Sequence, residues 1–359
     1  MSQIIKSGIE NFDALFKEIG GERVFFVCDE AFAFLPDAVK NVYYDRKDKF
    51  VLFNEFTPNP LYEQVCKGVE LFKKNACDVI LAIGGGSAID VAKCVKLYCK
   101  MDASENYLKQ ECRDSGVPLV AIPTTAGTGS ESTRFAVIYF EGKKQSVAHE
   151  SIVPNYVVLE PSVLKTLPLR QKKATMLDAL CQGIESWWSV NSTDESKVYS
   201  KIAVDKIVAN YKKYIFESDD AAAREIMTAA NYAGRAINIT QTTAAHAMSY
   251  KITSLYKIPH GAAVAVCLPE VWEYMLAHPE KCIDPRGIGY LTKTLSEISV
   301  GLDWFKALLA ELEAEYPKAS DRENEMTVLT ESVNPVRLKN FPTELTADVL
   351  REMYERIVK

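Results

Sequence analysis

Val79-Ile-Leu-Ala-Ile83 is apolar at every position and runs straight into Gly84-Gly85-Gly86-Ser87. A strand with one wet face alternates apolar and polar residues, so a run apolar on both faces belongs in the middle of a parallel sheet. Parallel neighbours need long crossover connections, usually helices, which commits this half of the chain to an α/β arrangement. Pro118-Leu-Val-Ala-Ile122 repeats the pattern and ends in Pro123-Thr124-Thr125-Ala-Gly127-Thr-Gly129-Ser130. Arg23-Val-Phe-Phe-Val27 is a third apolar run, tipped by Cys28-Asp29-Glu30. Between them, Thr57-Pro-Asn-Pro60 breaks the chain, and Val65, Val69, Leu71 and Phe72 mark an amphipathic helix from Leu61 to about Ala76. A further helix follows Ser87 to about Cys99. Ligands of such a half bind at the carboxyl ends of its strands.

After Leu167-Pro168 the strand-like runs stop and helical periodicity holds from about Arg170 to Lys359, interrupted by Pro259, Pro269, Pro285 and the loop Asn334-Pro-Val-Arg337. The expected division is an α/β domain over 1–166 and an all-helical domain over 167–359. At 359 residues and 48% hydrophobic content, each has enough apolar material for its own core. A net charge of −6 gives no support for a nucleic-acid partner. None of the nine cysteines sits in a C-x-x-C pair, which argues against thiolate zinc and a redox dithiol. Met1-Ser-Gln-Ile-Ile-Lys6 has no leader pattern, and no apolar run approaches the ~18 residues of a membrane span. A cytoplasmic protein with reduced thiols is expected.

The glycine loop lacks the third glycine of G-x-G-x-x-G, where Ile89 stands, and the G-K-[ST] ending of a P-loop. Its physics still suits a diphosphate: residues without side chains let backbone N–H groups approach, and the helix beginning near Ser87 favours an anion. The structural alternative is a tight turn that needs glycine for positive φ. Asp29 at a strand tip can accept from a ribose 2′-hydroxyl and repel a 2′-phosphate, which favours NAD over NADP. In the helical half, Asp178, Gln182 and Glu185 stand at i, i+4 and i+7, on one helix face. His246 and Tyr250 share a face of another helix, and Pro259 lets His260 turn back toward His246. A carboxylate and two imidazoles suit a divalent metal; two core histidines and a capping aspartate are the structural alternative.

Together these stretches resemble the iron-containing (group III) alcohol dehydrogenase family. Gly84-Gly-Gly-Ser87-x-x-Asp90, Pro123-Thr-Thr-Ala-Gly-Thr-Gly-Ser-Glu131, Asp178-Ala-x-x-Gln182-x-x-Glu185 and Pro259-His260-Gly261 stand in family order and spacing over almost the whole chain. The resemblance implies an N-terminal dinucleotide-binding domain, an all-helical C-terminal domain and an active site in the cleft between them. It implies that Gly85, Gly86 and Ser87 hold the cofactor diphosphate, that Asp29 meets the adenosine ribose, and that Thr124, Thr125 and Lys144 line the rest of the cofactor site. Asp178, His246 and His260 match three metal ligands, and Gln182 replaces the family's usual histidine at the fourth. The implied cofactors are NAD(H), with NADP(H) as the alternative, and one Fe²⁺ or Zn²⁺. Tyr250 stands where many members carry a histidine thought to assist proton delivery.

Gln182, Arg235 and Lys251, with Thr242 and Thr243, make the chain look like the phosphonoacetaldehyde reductase branch, which makes 2-hydroxyethylphosphonate. Surplus cations and hydroxyls near the metal would suit a phosphonate, and Arg235 is the preferred cation, since Lys251 lies about 100° around the helix from Tyr250. Tyr250, Arg235 and Lys251 are therefore the expected catalytic side chains, acting in a homodimer. The competing readings are a lactaldehyde/propanediol or simple-alcohol dehydrogenase, a lyase like dehydroquinate synthase, and a catalytically inactive nucleotide-binding protein.

Overall fold

The computed structural model describes residues 3–359; Met1 and Ser2, part of the stretch read above for a leader, lie outside the described residues. Packing divides the chain into two units. One takes in the chain up to Leu167 together with Ser218–Met227, the other Pro168–Glu217 with Thr228–Lys359.

The first unit holds strands β1 (Ile4–Ser7), β2 (Val24–Cys28), β3 (Phe50–Phe53), β4 (Val79–Gly84), β5 (Leu119–Pro123) and β8 (Tyr156–Leu159) in one parallel sheet, ordered β1-β8-β5-β4-β2-β3. Every residue of β2, β4 and β5 is buried, as their continuous apolar sequences require. Helices α1 (Phe12–Ile19), α2 (Asp37–Tyr44), α3 (Tyr62–Lys74) and α4 (Gly86–Tyr98) complete this unit's main elements. Val65 and Val69 of α3 and Val91 and Val95 of α4 are fully buried, each worth about 1.5–3 kcal/mol relative to exposure. Strands β6 (Phe135–Phe140) and β7 (Lys143–Ala148) form a separate antiparallel hairpin. Its two-residue turn has Glu141 at φ 50° and Gly142 at φ 71°, the double positive φ of a type I′ hairpin.

The order of the sheet decides where a ligand can sit. From β2 the chain moves to β3 on one side, then returns to β4 on the other side of β2. Connections therefore diverge above the carboxyl ends of β2 and β4, which opens the crevice used by doubly wound sheets. Cys28 pairs with Ile83 across β2 and β4, so Asp29 and Gly84 emerge side by side.

The second unit is helical: α5 (Leu169–Trp188), α6 (Asp194–Lys212), most of α7 (Asp220–Thr240), α8 (Ala244–Tyr256), α9 (His260–Ala277), α10 (Ile288–Ser296), α11 (Leu302–Glu311), α12 (Arg322–Glu331), α13 (Pro335–Leu338) and α14 (Ala347–Ile357). No named strand follows β8 among the described residues. Pro269, read above as an interruption, lies inside α9 without ending it. Val264 to Pro269 are buried throughout, so packing holds the helix past the lost backbone hydrogen bond. Asn334 likewise caps α13 by accepting from Val336 N–H, so a short helix stands where a loop was expected. Among the described residues no helix is long and apolar enough to cross a membrane.

Candidate active site

Three helices build a cluster in the second unit. Asp178 lies on the buried face of α5, His246 in the first turn of α8, and His260 at the first residue of α9. Lys257 in the left-handed region (φ 57°) ends α8, and Pro259 opens α9, so the chain reverses within a few residues. The two imidazole centres consequently stand 5.6 Å apart. One ligand atom from each of Asp178, His246 and His260 lies within 4.8 Å of the others. Gly261 makes this closeness possible: a Cβ there would stand 1.9 Å from the Ala174 carbonyl oxygen and 2.7 Å from Asp178 Cβ.

Hydrogen bonds hold the cluster in a fixed orientation. Asp178 Oδ1 lies 3.2 Å from His246 Nε2. On the other side of the ring, Nδ1 donates to the Glu185 carboxylate, which fixes the ring so that Nε2 faces Asp178. Glu185, fully buried, uses its other oxygen to accept from Thr243 Oγ1 (2.6 Å) and from the backbone N–H groups of Thr243 (3.2 Å) and Ala245 (3.0 Å) at the start of α8. Burial alone would raise the Asp178 carboxyl; the His246 hydrogen bond, the His260 and His246 charges and the Gln182 amide outweigh it and leave it lowered. Burial opposes the His246 charge, yet Glu185 and Asp178 push its pKa up to about 10. The Tyr250 ring lies parallel to His260, 5.5 Å away at an interplanar angle of 8°.

In the first unit the glycine loop meets Asp29. A Cβ on Gly84 would come within 2.6 Å of Ala88 Cβ and 3.2 Å of Asp29 Oδ2, and one on Gly86 within 3.0 Å of Thr128. None of Gly84, Gly85 and Gly86 has positive φ, so close approach, and not a left-handed turn, requires glycine here. Gly85 opens α4 with no side-chain cap and no acid in the first turn, leaving a helix N-terminus suited to an anion. Asp29 accepts from Ala31 N–H at 3.0 Å. Burial raises its carboxyl, offset in part by the N–H groups of Ala31 and Gly85. Thr124 N–H donates to the Gly84 carbonyl (3.0 Å), and the Thr125 methyl would be 3.5 Å from a Gly85 Cβ. Asn59 N–H donates to Ser87 Oγ at 3.4 Å. Lys144 pairs with Tyr139 across the hairpin, and its charge reaches Asp90.

Two family models cover most of the chain. Residues 4–161 match iron-containing alcohol dehydrogenase, and residues 172–302 match the C-terminal region of the Fe-containing alcohol dehydrogenase family. The chain belongs to the iron-containing alcohol dehydrogenase family. It is similar to phosphonoacetaldehyde reductase of Streptomyces viridochromogenes, 36% identical over 238 residues, which span 63% of this chain and 60% of that one. It is 32% identical over 286 residues to NAD-dependent methanol dehydrogenase of Bacillus methanolicus, covering 77% of this chain and 74% of the other. The fold superposes on sulfoacetaldehyde reductase of Bifidobacterium kashiwanohense, solved in complex with NAD⁺, with a TM-score of 0.86 at 24% identity over 99% of this chain and 96% of that one.

Within this family fold, the residues singled out in the sequence do not all converge. Gln182, buried one turn after Asp178, donates to the Asp178 carboxylate. Arg235 lies over the rings of Tyr199 (5.8 Å) and Tyr232 (5.4 Å), on the α6–α7 side of the unit. Lys251 is half-buried one residue beyond Tyr250. The Thr243 hydroxyl is spent on Glu185. Sequence reasoning assigned no role to Glu185, to Lys93 or to Arg337. Lys93, fully buried, donates to Ser130 Oγ (3.0 Å), Thr133 Oγ1 (3.1 Å) and the Phe135 carbonyl (2.7 Å), while Ser130 Oγ donates to Asp90 at 2.5 Å. This network pins the Thr124–Ser130 loop to α4. The Arg337 guanidinium lies 5.6 Å from the centre of the Tyr250 ring. The Asp90-Val-Ala-Lys93 spacing is visible in the sequence, whereas nothing local to Arg337 points to Tyr250.

Proposed function

We propose that the protein is an NADH- and metal-dependent reductase of a small aldehyde with an anionic end, and that phosphonoacetaldehyde, reduced to 2-hydroxyethylphosphonate, is its substrate. The observation that carries this reading is the convergence of Asp178, His246 and His260, whose ligand atoms lie within 4.8 Å of one another. One carboxylate and two imidazoles are donors that Fe²⁺ and Zn²⁺ accept, and three protein ligands leave room for substrate. When bound, the ion supplies Lewis acidity toward a carbonyl and the nicotinamide supplies hydride. Asp178, His246 and His260 are the ligands in this reading, and Gln182 steadies Asp178 by its hydrogen bond. Glu185 keeps His246 Nε2 turned to the ligand position. Tyr250, parallel to His260, walls the site, and its hydroxyl is the side-chain source of the proton for the product oxygen.

On the cofactor side, Gly85, Gly86 and Ser87 at the uncapped start of α4 receive the diphosphate. Thr124, Thr125 and Lys144 line the remainder, and Asp29 accepts from the ribose and repels a 2′-phosphate. Similarity to a phosphonoacetaldehyde reductase supports the choice of substrate. A cytoplasmic homodimer completes the proposal.

The test is a screen of aldehydes with NADH and NADPH, with and without added Fe²⁺ or Zn²⁺. Stoichiometric NADH loss is expected, with higher kcat/KM for phosphonoacetaldehyde than for propionaldehyde or lactaldehyde. Equal or better turnover of the neutral aldehydes would leave a generic alcohol dehydrogenase. No NADH loss with any aldehyde would remove the reductase reading altogether.

A further inference from the structure

We propose that Arg337, and not Arg235, is the side chain that recognises the anionic group of the substrate. The inference rests on the functional reading above and names the specificity residue within it. Most arginines of the second unit are spoken for: Arg170 pairs with Glu315, Arg286 with Asp284, Arg351 with Glu323 and Arg356 with Glu270. Among the described residues, the guanidinium of Arg337 has no carboxylate and no hydrogen-bond partner, and it stands over the Tyr250 ring. Arg235 is also without a carboxylate, but it rests between Tyr199 and Tyr232. The two cations therefore differ in which aromatic wall they stand against, and Tyr250 is the wall that stacks on His260.

Arg337 is half-buried and is carried by a segment fastened to the site. Asn340 Nδ2 donates to the Thr242 carbonyl at the start of α8 (3.1 Å), and Asn340 Oδ1 accepts from Asn191 Nδ2 (3.0 Å). Phe341, fully buried, packs edge-on against Trp188 at the end of α5. The same two helices that present His246 and Asp178 thus hold the turn that presents Arg337. From the guanidinium to the Tyr250 ring is 5.6 Å, and from that ring to His260 a further 5.5 Å. A two-carbon aldehyde sets its anionic group roughly 4 Å from its carbonyl oxygen by ordinary bond lengths. A charge-assisted hydrogen bond adds about 2.8 Å to that reach. The planar fork of the guanidinium meets two oxygens of a phosphonate at once, which a lysine does not do.

The test compares kcat/KM for phosphonoacetaldehyde and for propionaldehyde in the metal-loaded wild type, Arg337→Ala, Arg337→Lys and Arg235→Ala. It is joined to calorimetric binding of 2-hydroxyethylphosphonate to the same four proteins. Arg337→Ala is expected to lower the phosphonoacetaldehyde-to-propionaldehyde ratio by roughly tenfold to a hundredfold and to weaken product binding by a similar factor. Arg337→Lys is expected to recover part of both. If Arg337→Ala fails to fold, Arg337→Gln carries the comparison in its place. A wild type that prefers phosphonoacetaldehyde while Arg337→Ala keeps the ratio and the affinity overturns this inference and leaves the proposed function standing. A shift of the ratio in Arg235→Ala alone hands the role to Arg235. A wild type with no preference and no product binding removes the proposed substrate and this assignment together.

Discussion

Glu185 serves two neighbours with one carboxylate. One oxygen gathers the first N–H groups of α8, the other holds His246 Nδ1. Removing the charge while keeping the shape should loosen the histidine without unfolding the helix. Glu185→Gln is expected to weaken binding of Zn²⁺ about tenfold to a hundredfold, measured by calorimetry, which is the usual cost of losing the outer partner of a ligating histidine. Unchanged affinity would reduce Glu185 to a helix cap. Its place on the Asp178 face was legible from the i+7 spacing, but its role was not, because His246 lies 61 residues downstream. Lys93 carries a pH signature. Burial lowers its pKa to about 8 against an ordinary 10.5. Between those values the unfolded chain binds more protons, so this residue's contribution to stability rises with pH in that window. Relative to Lys93→Met, the wild type should gain about 2 kcal/mol of unfolding free energy between about pH 7.5 and 9.5, read by denaturant titration. A difference that is flat or falls with pH would contradict the burial argument.

At the level of elements, the turn between α8 and α9 brings the histidines together, and Gly261 lets α9 start against α5. Gly261→Ala forces a methyl group into the Ala174 carbonyl, a backbone atom that cannot rotate away. A loss of about 1–3 kcal/mol is expected from such overpacking, with weaker metal binding, since Asp178 is the other atom struck. An unchanged Tm with unchanged metal affinity would show that the helices separate freely. The Pro259 break and the helical spacings around Asp178 and His246 made this turn legible in the sequence. Pro269 was misleading for the converse reason, because burial outweighs a local breaker. Among strands, β4 and β5 announce themselves because both faces are buried. Edge strand β3 does not: Val51 and Leu52 are partly exposed, and its pattern is too short to separate from a loop.

For the whole molecule, the parallel sheet with its switch point at β2 and β4 explains how Asp29 stands beside the glycine loop while preceding it in sequence: the strands are neighbours in space, whatever their order in the chain. Asp29→Gly is expected to improve kcat/KM with NADPH relative to NADH; a native preference for NADPH would show Asp29 misassigned. Arg337, by contrast, was beyond sequence reading, since Tyr250 lies far upstream of it in the chain. Cys28, Cys77, Cys94, Cys99, Cys181 and Cys267 are buried, leaving Cys66, Cys112 and Cys282 partly exposed, and all nine are unpaired. A thiol reagent should therefore react quickly with no more than three thiols in the native protein and with all nine in denaturant. The most direct measurement is the metal content of the wild type and of His260→Ala after identical loading and dialysis. One divalent ion per chain in the wild type and almost none in the variant, with aldehyde reduction lost in parallel, is the expected result. Full occupancy in His260→Ala would contradict the assignment of Asp178, His246 and His260 as a metal site.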